Sequence, residues 1–269
     1  ERVGGYIDNV ATGEKNINST DVYTVRGSFL LRPSTRFSLS LLGLYQKSDQ
    51  ANQDAGIDYK TSSAIPTPGK DRYTLVQGKI GYDLDFAELS ASASWIERRN
   101  LTQFDLSGFY VPVLVGSFGL PAGFIDRVGI VAITHFEIFN SEVRLASQSN
   151  GPFGWQIGAA YNDLRIHQFG GTFTAPGALP FAIIDSDDVR QSKSFTIYGE
   201  ASYAFTPQLK ATAGVRYYSE HKQRNITSTN FGFTTEDFGN DTFNTINPRV
   251  NLSYELTPNS MIYANAAKG

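Results

Sequence analysis

The amino-acid sequence predicts an all-β protein, namely an antiparallel transmembrane β-barrel segment of about ten strands. One observation behind this prediction is that apolar side chains alternate with polar or small ones, which is the side-chain period that a strand imposes. A second is that short and long connections between the strands alternate. Short periplasmic turns at one rim and long extracellular loops at the other are typical of outer-membrane barrels. The connections therefore also predict the orientation of the barrel.

The hairpin from Ser194 to Tyr217 shows the alternation most clearly. One face of its strands carries apolar or small residues, among them Phe195, Ile197, Ala201, Tyr203, Ala213, Val215 and Tyr217. The interleaved positions are polar, as at Thr196, Glu200, Lys210, Thr212 and Arg216. We expect the first face to contact lipid and the second to face water.

The same alternation predicts strands, turns and loops along the whole chain. We expect strands near residues 22–32, 36–46, 73–83, 88–98, 138–147, 155–167, 194–205, 209–219, 245–255 and 260–268, with 4–8 as the end of a further strand. The short turns are 33–35, 84–86, 149–154, 206–208 and 257–259. The long loops are 48–72, 99–135, 168–193 and 221–244. Loops of this length are unusual in compact soluble domains, so they favour the barrel.

A transmembrane helix is not predicted. The chain has no stretch approaching the roughly 18 consecutive apolar residues that such a helix needs. Its best apolar run, 110–125, is interrupted by Pro112, Gly116, Gly119, Pro121 and Gly123. Because Pro and Gly interrupt regular structure, we predict a loop at the outer rim there.

Composition and motifs exclude several classes of function. The chain has no cysteine, which excludes disulfides and thiolate chemistry. It carries 23 basic and 26 acidic residues without a basic stripe, so nucleic-acid binding is not expected. No GxSxG, Walker or HExxH motif is present. We predict a protein that is not an enzyme, has no catalytic residues and needs no cofactor.

A metal site is not predicted either. His135, His167 and His221 lack the mutual spacing of a metal site, so we interpret them as surface residues. The acidic run from Asp185 to Asp188 lacks the glycine and the distal glutamate of a calcium loop. We interpret it as solvated loop charge.

Aromatic residues fall at two kinds of position. Tyr and Trp near strand ends suit the interfacial girdles of a membrane barrel, and these are Tyr45, Tyr82, Trp95, Trp155, Tyr161, Tyr203, Tyr217 and Tyr254. Aromatic residues in the loops form either a ligand-stacking surface or contacts between the loops, and these are Tyr59, Phe104, Phe109, Tyr110, Phe169, Phe173, Phe181, Phe231 and Phe233.

The last two hairpins carry a family resemblance. Residues 247–254 read Asn-Pro-Arg-Val-Asn-Leu-Ser-Tyr, a Leu-Thr-Pro-Asn turn follows at 256–259, and Met-Ile-Tyr-Ala stands at 261–264. This passage resembles the barrel of TonB-dependent outer-membrane receptors. The hairpin at 141–147 and 154–159, and the pair 198–201 and 212–217, are similar to the same family.

The resemblance implies a bacterial outer-membrane protein in which a plug domain closes a barrel of about 22 strands. It further implies contact with lipid and the TonB complex, and uptake of a scarce extracellular ligand, commonly a ferric siderophore and sometimes cobalamin, haem or a saccharide. Glu1 is not an initiator methionine, no secretory segment follows it, and Gly269 comes where a strand is expected to be crossing the bilayer. We therefore expect residues 1–269 to be one partial barrel domain, truncated at both ends and lacking the plug.

The polar face supplies the candidate binding residues. Its charges are Arg26, Lys79, Glu88, Glu142, Arg144, Glu200, Lys210, Arg216, Arg249 and Glu255. We predict that Arg144, Glu200, Arg216 and Arg249 contact the plug or an anionic ligand, because guanidinium groups suit carboxylate and phosphate oxygens. The alternative is that these residues pair with one another across neighbouring strands.

Two other functions remain open at this point. A passive porin-like channel would show the same alternation without an energy-coupling partner. A soluble β-sandwich that serves as a secreted binding module would also show alternating strands.

Overall fold

An 11-stranded antiparallel sheet forms most of the computed structural model, which describes residues 1–53, 57–148, 151–177, 179 and 181–268. The elements in chain order are β1 Arg2–Val3, β2 Asp8–Asn9, β3 Thr20–Leu31, β4 Phe37–Gln50, β5 Lys60–Thr61, β6 Gly69–Asp83, β7 Ala87–Asp105, α1 Ser107–Phe118, β8 Ile125–Ser147, β9 Phe153–Pro176, β10 Ile184–Ala204, β11 Leu209–Asn230, β12 Phe233–Thr257 and β13 Ser260–Ala267. Strands β2 and β5 form a separate parallel pair, and the other strands follow one another in the large sheet. Within the described ranges the edges β1 and β13 do not pair with each other.

The predicted all-β antiparallel class and each of the ten predicted strands are confirmed. The strand expected at residues 4–8 is wrong, because Arg2–Val3 pairs with β3 instead and Asp8–Asn9 belongs to the small sheet. The short turns after β3, β6, β10 and β12 are found where they were predicted. The predicted turn at 149–154 includes residues 149 and 150, which lie outside the described residues.

Most of the predicted long loops are shorter than expected, because the strands continue into them. The largest correction is at 221–244, where β11 and β12 extend until only Phe231 and Gly232 separate them. Both residues have positive φ, 49° and 80°, as a two-residue type I′ hairpin requires. The segment has no apolar face, but backbone pairing between β11 and β12 holds it extended in water. Since a strand needs about 9 to 11 residues to cross a bilayer, the 25 residues of β12 extend far beyond it.

The apolar run at 110–125 contains a helix rather than the predicted loop. Helix α1 includes Pro112 and ends at Gly119, whose φ of 63° is left-handed. Its Leu114 is fully buried against Val128 and Ile183, so tertiary packing outweighs the low helix propensity of the segment. No helix in the described part of the chain has the length and apolarity to cross a membrane.

Apolar side chains lie mainly on one exposed face of the sheet. Ile157, Ile197, Val215 and Val250 are 50 to 54% exposed, as is typical of residues that contact lipid rather than a protein core. A small buried core lies instead at the outer end, where α1 packs on the ends of β8 and β10. Consequently the opposite, polar face of the sheet is the one available for binding.

Candidate ligand-binding face

The strand register places the four predicted binding residues on the polar face. Arg144, Tyr198 and Arg216 lie in one cross-strand row, with Gly158 between the first two. Glu200 and Arg249 lie in the adjacent row, separated by Gly214. Side chains in directly paired positions share a face, and these rows alternate with rows that contain Ile197 and Val215. The predicted residues therefore form one patch.

Three residues of this patch, Glu200, Arg216 and Arg249, line an open cleft of about 520 Å³, which we call the main cleft. Its walls come from strands β8 to β13, so the polar face is concave there. The polar and charged lining residues are Glu142, Gln156, Thr196, Tyr198, Glu200, Arg216, Asn247, Arg249 and Lys268. Arg144 is in the row of Tyr198 but does not line the main cleft.

Glu200 and Arg249 form an ion pair that passes over the intervening strand β11. Gly214 lies beneath this pair, and a Cβ atom there would be 3.4 Å from Arg249 Nε and 3.4 Å from Glu200 Cβ. Position 214 therefore leaves room over β11 for the two side chains to meet, and a Cβ atom there would be close to ordinary van der Waals contact with both. Pairing of this kind was the alternative to direct contact with a ligand for these two residues.

Tyr198 and Glu142 form a similar bridge over β9, which the sequence did not indicate. The Tyr198 hydroxyl donates a hydrogen bond of 2.5 Å to Glu142 Oε1. The tyrosine ring lies on Gly158, where any Cβ atom would collide with it. A glycine paired with a large polar aromatic residue is the signal that would have pointed to this contact.

Arg216 has no carboxylate partner among the described residues, and the same holds for Arg144. The Arg216 guanidinium lies 5.1 Å from the centre of the Tyr218 ring, which supports it through a cation–π contact. The charged lining residues are three cations, Arg216, Arg249 and Lys268, and two carboxylates, Glu142 and Glu200, so the main cleft carries a net charge of 3 − 2 = +1. Because both carboxylates already have partners, Arg216 is available to an incoming anion.

A second cleft of about 310 Å³ continues the polar face toward β6. Its lining consists largely of hydroxyl and amide groups, including Ser92, Ser94, Asn140, Asn162 and Ser194. Asn162 Nδ2 donates to Asn140 Oδ1 at 2.5 Å. Glu142 and Arg216 also line this cleft, so it adds hydrogen-bonding groups to charges that it shares with the main cleft.

Several of the predicted loop aromatics contact one another at the outer end. Phe231 stacks on Phe118 with 5.8 Å between ring centres, and Tyr110 and Phe181 contact the same group. These residues pack the loops against each other. Other loop aromatics are exposed, namely Tyr59, Phe109, Phe169 and Phe233.

Asp105, at the outer end of β7, joins two loops. Its carboxylate accepts hydrogen bonds from the Ser107 amide at 2.9 Å, the Ser63 hydroxyl at 3.0 Å and the Ala64 amide at 2.5 Å. Burial raises the pKa of Asp105, but the hydrogen bond from the Ser107 hydroxyl at 2.5 Å together with these three outweighs it and leaves the pKa below its ordinary value. The ionised carboxylate therefore fixes the β5–β6 connection to the start of α1.

The three histidines have partners that their spacing did not indicate. His135 Nε2 lies 3.0 Å from Glu97 Oε1, and His167 Nε2 lies 2.7 Å from Asp187 Oδ1. Both imidazoles belong to one cross-strand pair on the face opposite the main cleft. His221 contacts the Thr242 hydroxyl at 2.9 Å.

The acidic run from Asp185 to Asp188 does not converge on one point. Asp187 contacts His167 and Asp188 pairs with Arg190, and successive residues of a strand point to opposite faces.

The family model for the β-barrel of TonB-dependent receptor-like proteins matches residues 11–269. No curated protein sequence matches the chain significantly.

Several solved structures share the fold. The ferric yersiniabactin uptake receptor FyuA from Yersinia pestis is similar over 98% of this chain and 40% of its own, with 13% identity and a TM-score of 0.78. The ferric-catecholate import receptor Fiu from E. coli K12 is similar over 99% of this chain and 45% of its own, with 12% identity and a TM-score of 0.65. The alcaligin outer-membrane receptor FauA from Bordetella pertussis is similar over 98% of this chain and 41% of its own, with 13% identity and a TM-score of 0.55. The chain thus spans less than half the length of these proteins.

Proposed function

This chain belongs to the TonB-dependent receptor-like β-barrel family, and we propose that its protein is a bacterial outer-membrane receptor for TonB-energised uptake of a ferric siderophore. The observation that carries the proposal is the main cleft, whose charge is positive and whose Arg216 has no acidic partner in the described ranges. The choice of ligand class is supported by FyuA and Fiu, which are named for ferric yersiniabactin and ferric catecholate.

We propose that the chain is the barrel part of a longer protein that also has a plug domain and a TonB-contacting segment. A barrel wide enough for such a ligand would leak unless it were closed. The outer membrane offers no ATP to drive release, so a plug moved by a tethered partner meets both needs. The exposed apolar face would then contact the lipid of the outer membrane, with the charged face inside.

Within this proposal, Arg216 and Arg144 bind an anionic group of the ligand or a carboxylate of the plug. Guanidinium groups bind carboxylates through paired hydrogen bonds, which are stronger than neutral ones. Glu200 and Arg249 hold the wall of the main cleft in place through their ion pair.

Growth and uptake assays test the proposal. A deletion strain is complemented with the complete gene under iron limitation and supplied with defined ⁵⁵Fe-siderophores. We expect TonB-dependent uptake of at least one of them. Arg216→Ala is expected to weaken binding about tenfold, which corresponds to about 1.4 kcal/mol. Arg26→Ala is the matched control, because Arg26 also faces inward but lies far from the main cleft along the sheet.

Other outcomes separate the alternatives. If Arg216 contacts the plug, Arg216→Ala will raise passive leakage of large antibiotics without changing siderophore affinity. Steady ion conductance of the purified wild-type protein in planar bilayers, with no uptake of any siderophore, would favour a passive channel and contradict the proposal.

A further inference from the structure

Three potential metal ligands meet on the outward face of the sheet, away from the main cleft. Glu97 on β7 lies directly opposite Glu137 on β8, and His135 is two residues from Glu137 on the same face. One ligand atom from each residue lies within 4.8 Å of the other two. Val143, an even number of residues from Glu137, belongs to the exposed apolar face, which fixes the direction of the group.

Two carboxylates lie side by side in this group, each with an arginine nearby. Like charges in directly opposite strand positions repel each other, and both glutamates are partly buried. Arg99 contacts Glu97 Oε1 at 2.7 Å, but its side chain is 63% exposed. Arg165 lies directly opposite Glu137 on β9, but the contact ion pair of its guanidinium is with Asp163, at 3.1 Å. A cation between the two carboxylates would remove the repulsion.

We propose that Glu97, His135 and Glu137 form a binding site for a divalent transition-metal ion of the zinc class. One imidazole and two carboxylates are a ligand set that zinc accepts, whereas calcium and magnesium prefer oxygen ligands alone. Ligand atoms bind zinc at about 2.0 to 2.2 Å, so small side-chain rotations bring the three donors to the ion. The fourth coordination position remains open to water or an anionic group.

Apolar outward-facing pairs lie on both sides of the site along β7 and β8, with Leu101 and Ile133 on the side of the long loops. The next outward-facing pair toward the periplasmic turns is Trp95 and Phe139, which are aromatic. An ion here would fasten β7 to β8. This proposal does not depend on ligand uptake, because the group faces away from the main cleft.

Titration of the complete, detergent-purified protein with Zn²⁺ tests the site, by calorimetry and by the visible absorption of bound Co²⁺. We expect one ion per chain in the wild type and at least a tenfold loss of affinity in His135→Ala, since even outer-shell partners contribute about tenfold. Glu137→Gln, which keeps the shape of the side chain, is expected to show the same loss. Arg99→Gln is expected to tighten binding, because it removes the cation that competes for Glu97.

His167→Ala is the matched control. Its imidazole is the cross-strand neighbour of His135, but it pairs with Asp187 alone. We expect its affinity for Zn²⁺ to equal that of the wild type. The proposal is overturned if wild type and Glu137→Gln bind Zn²⁺ equally, or if His167→Ala loses as much affinity as His135→Ala. Circular dichroism establishes whether each variant is folded. If His135→Ala does not fold, the zinc affinity of Glu137→Gln alone decides the test.

Discussion

Gly158→Ala is expected to break the bridge between Tyr198 and Glu142. The new Cβ atom would lie 2.8 Å from Tyr198 Cε1 and closer still to the end of the ring, so the ring must move off β9. A hydrogen bond to a charged group contributes about 1.5 to 3 kcal/mol, and partial exposure of Tyr198 reduces this to about 1 kcal/mol. Tyr198→Phe removes the same hydrogen bond without moving the backbone.

A double-mutant cycle on thermal unfolding of the complete protein measures the effect. We expect each single substitution to cost about 1 kcal/mol and the double substitution to cost little more, because the hydrogen bond can be lost only once. Gly27→Ala is the control, since no atom lies within 4 Å of a Cβ placed there. The reasoning is refuted if Gly158→Ala is no more destabilising than Gly27→Ala. It is also refuted if the double substitution costs the sum of the two single substitutions.

Three further substitutions test other parts of the structure. Leu114→Ala should destabilise the outer core by about 2 to 5 kcal/mol and increase proteolysis of the outer loops, whereas Phe233→Ala, at a 79% exposed side chain, should leave proteolysis unchanged. The pKa of Asp105 is lower in the folded state than the unfolded value of about 3.9, so its carboxylate stabilises the fold above that pH and loses this effect as the pH falls through the folded pKa. Loop proteolysis should therefore increase in acid, and Asp105→Asn should remove the part of this increase that comes from Asp105. Glu200→Gln should change unfolding by no more than about 1 kcal/mol because its partner Arg249 is largely exposed, and a loss above about 3 kcal/mol would show that the pair is not solvent-screened.

The membrane-crossing part of the fold could be predicted because lipid and water impose a strict alternation there. Ile197 and Val215 were assigned to lipid by this alternation alone, and they are 50% and 51% exposed. The outer halves of the strands could not be predicted in this way. Between residues 221 and 244 both faces meet water, so the sequence lacks the alternation even though the backbone pairs continuously.

The candidate site was predictable in part for the same reason. Alternation with the apolar residues Ile197 and Val215 places Glu200 and Arg216 on the polar faces of their own strands before the register is known. The contacts between these residues could not be predicted in the same way, because Tyr198 and Glu142 are 56 positions apart in sequence and lie on either side of an intervening strand. The group of Glu97, His135 and Glu137 was missed since its members share a face only once β7 and β8 are paired.

Neighbouring strands of the large sheet follow one another along the chain, apart from the small strands β2 and β5. This order has a consequence for how such proteins change size. A duplication or deletion of one hairpin, such as β10 with β11, adds or removes two strands together and leaves the up-and-down order of the rest intact. The inside-outside parity of every remaining side chain would also survive. Circumference can therefore evolve in steps of two strands, whereas a single-strand change would reverse the direction of everything after it.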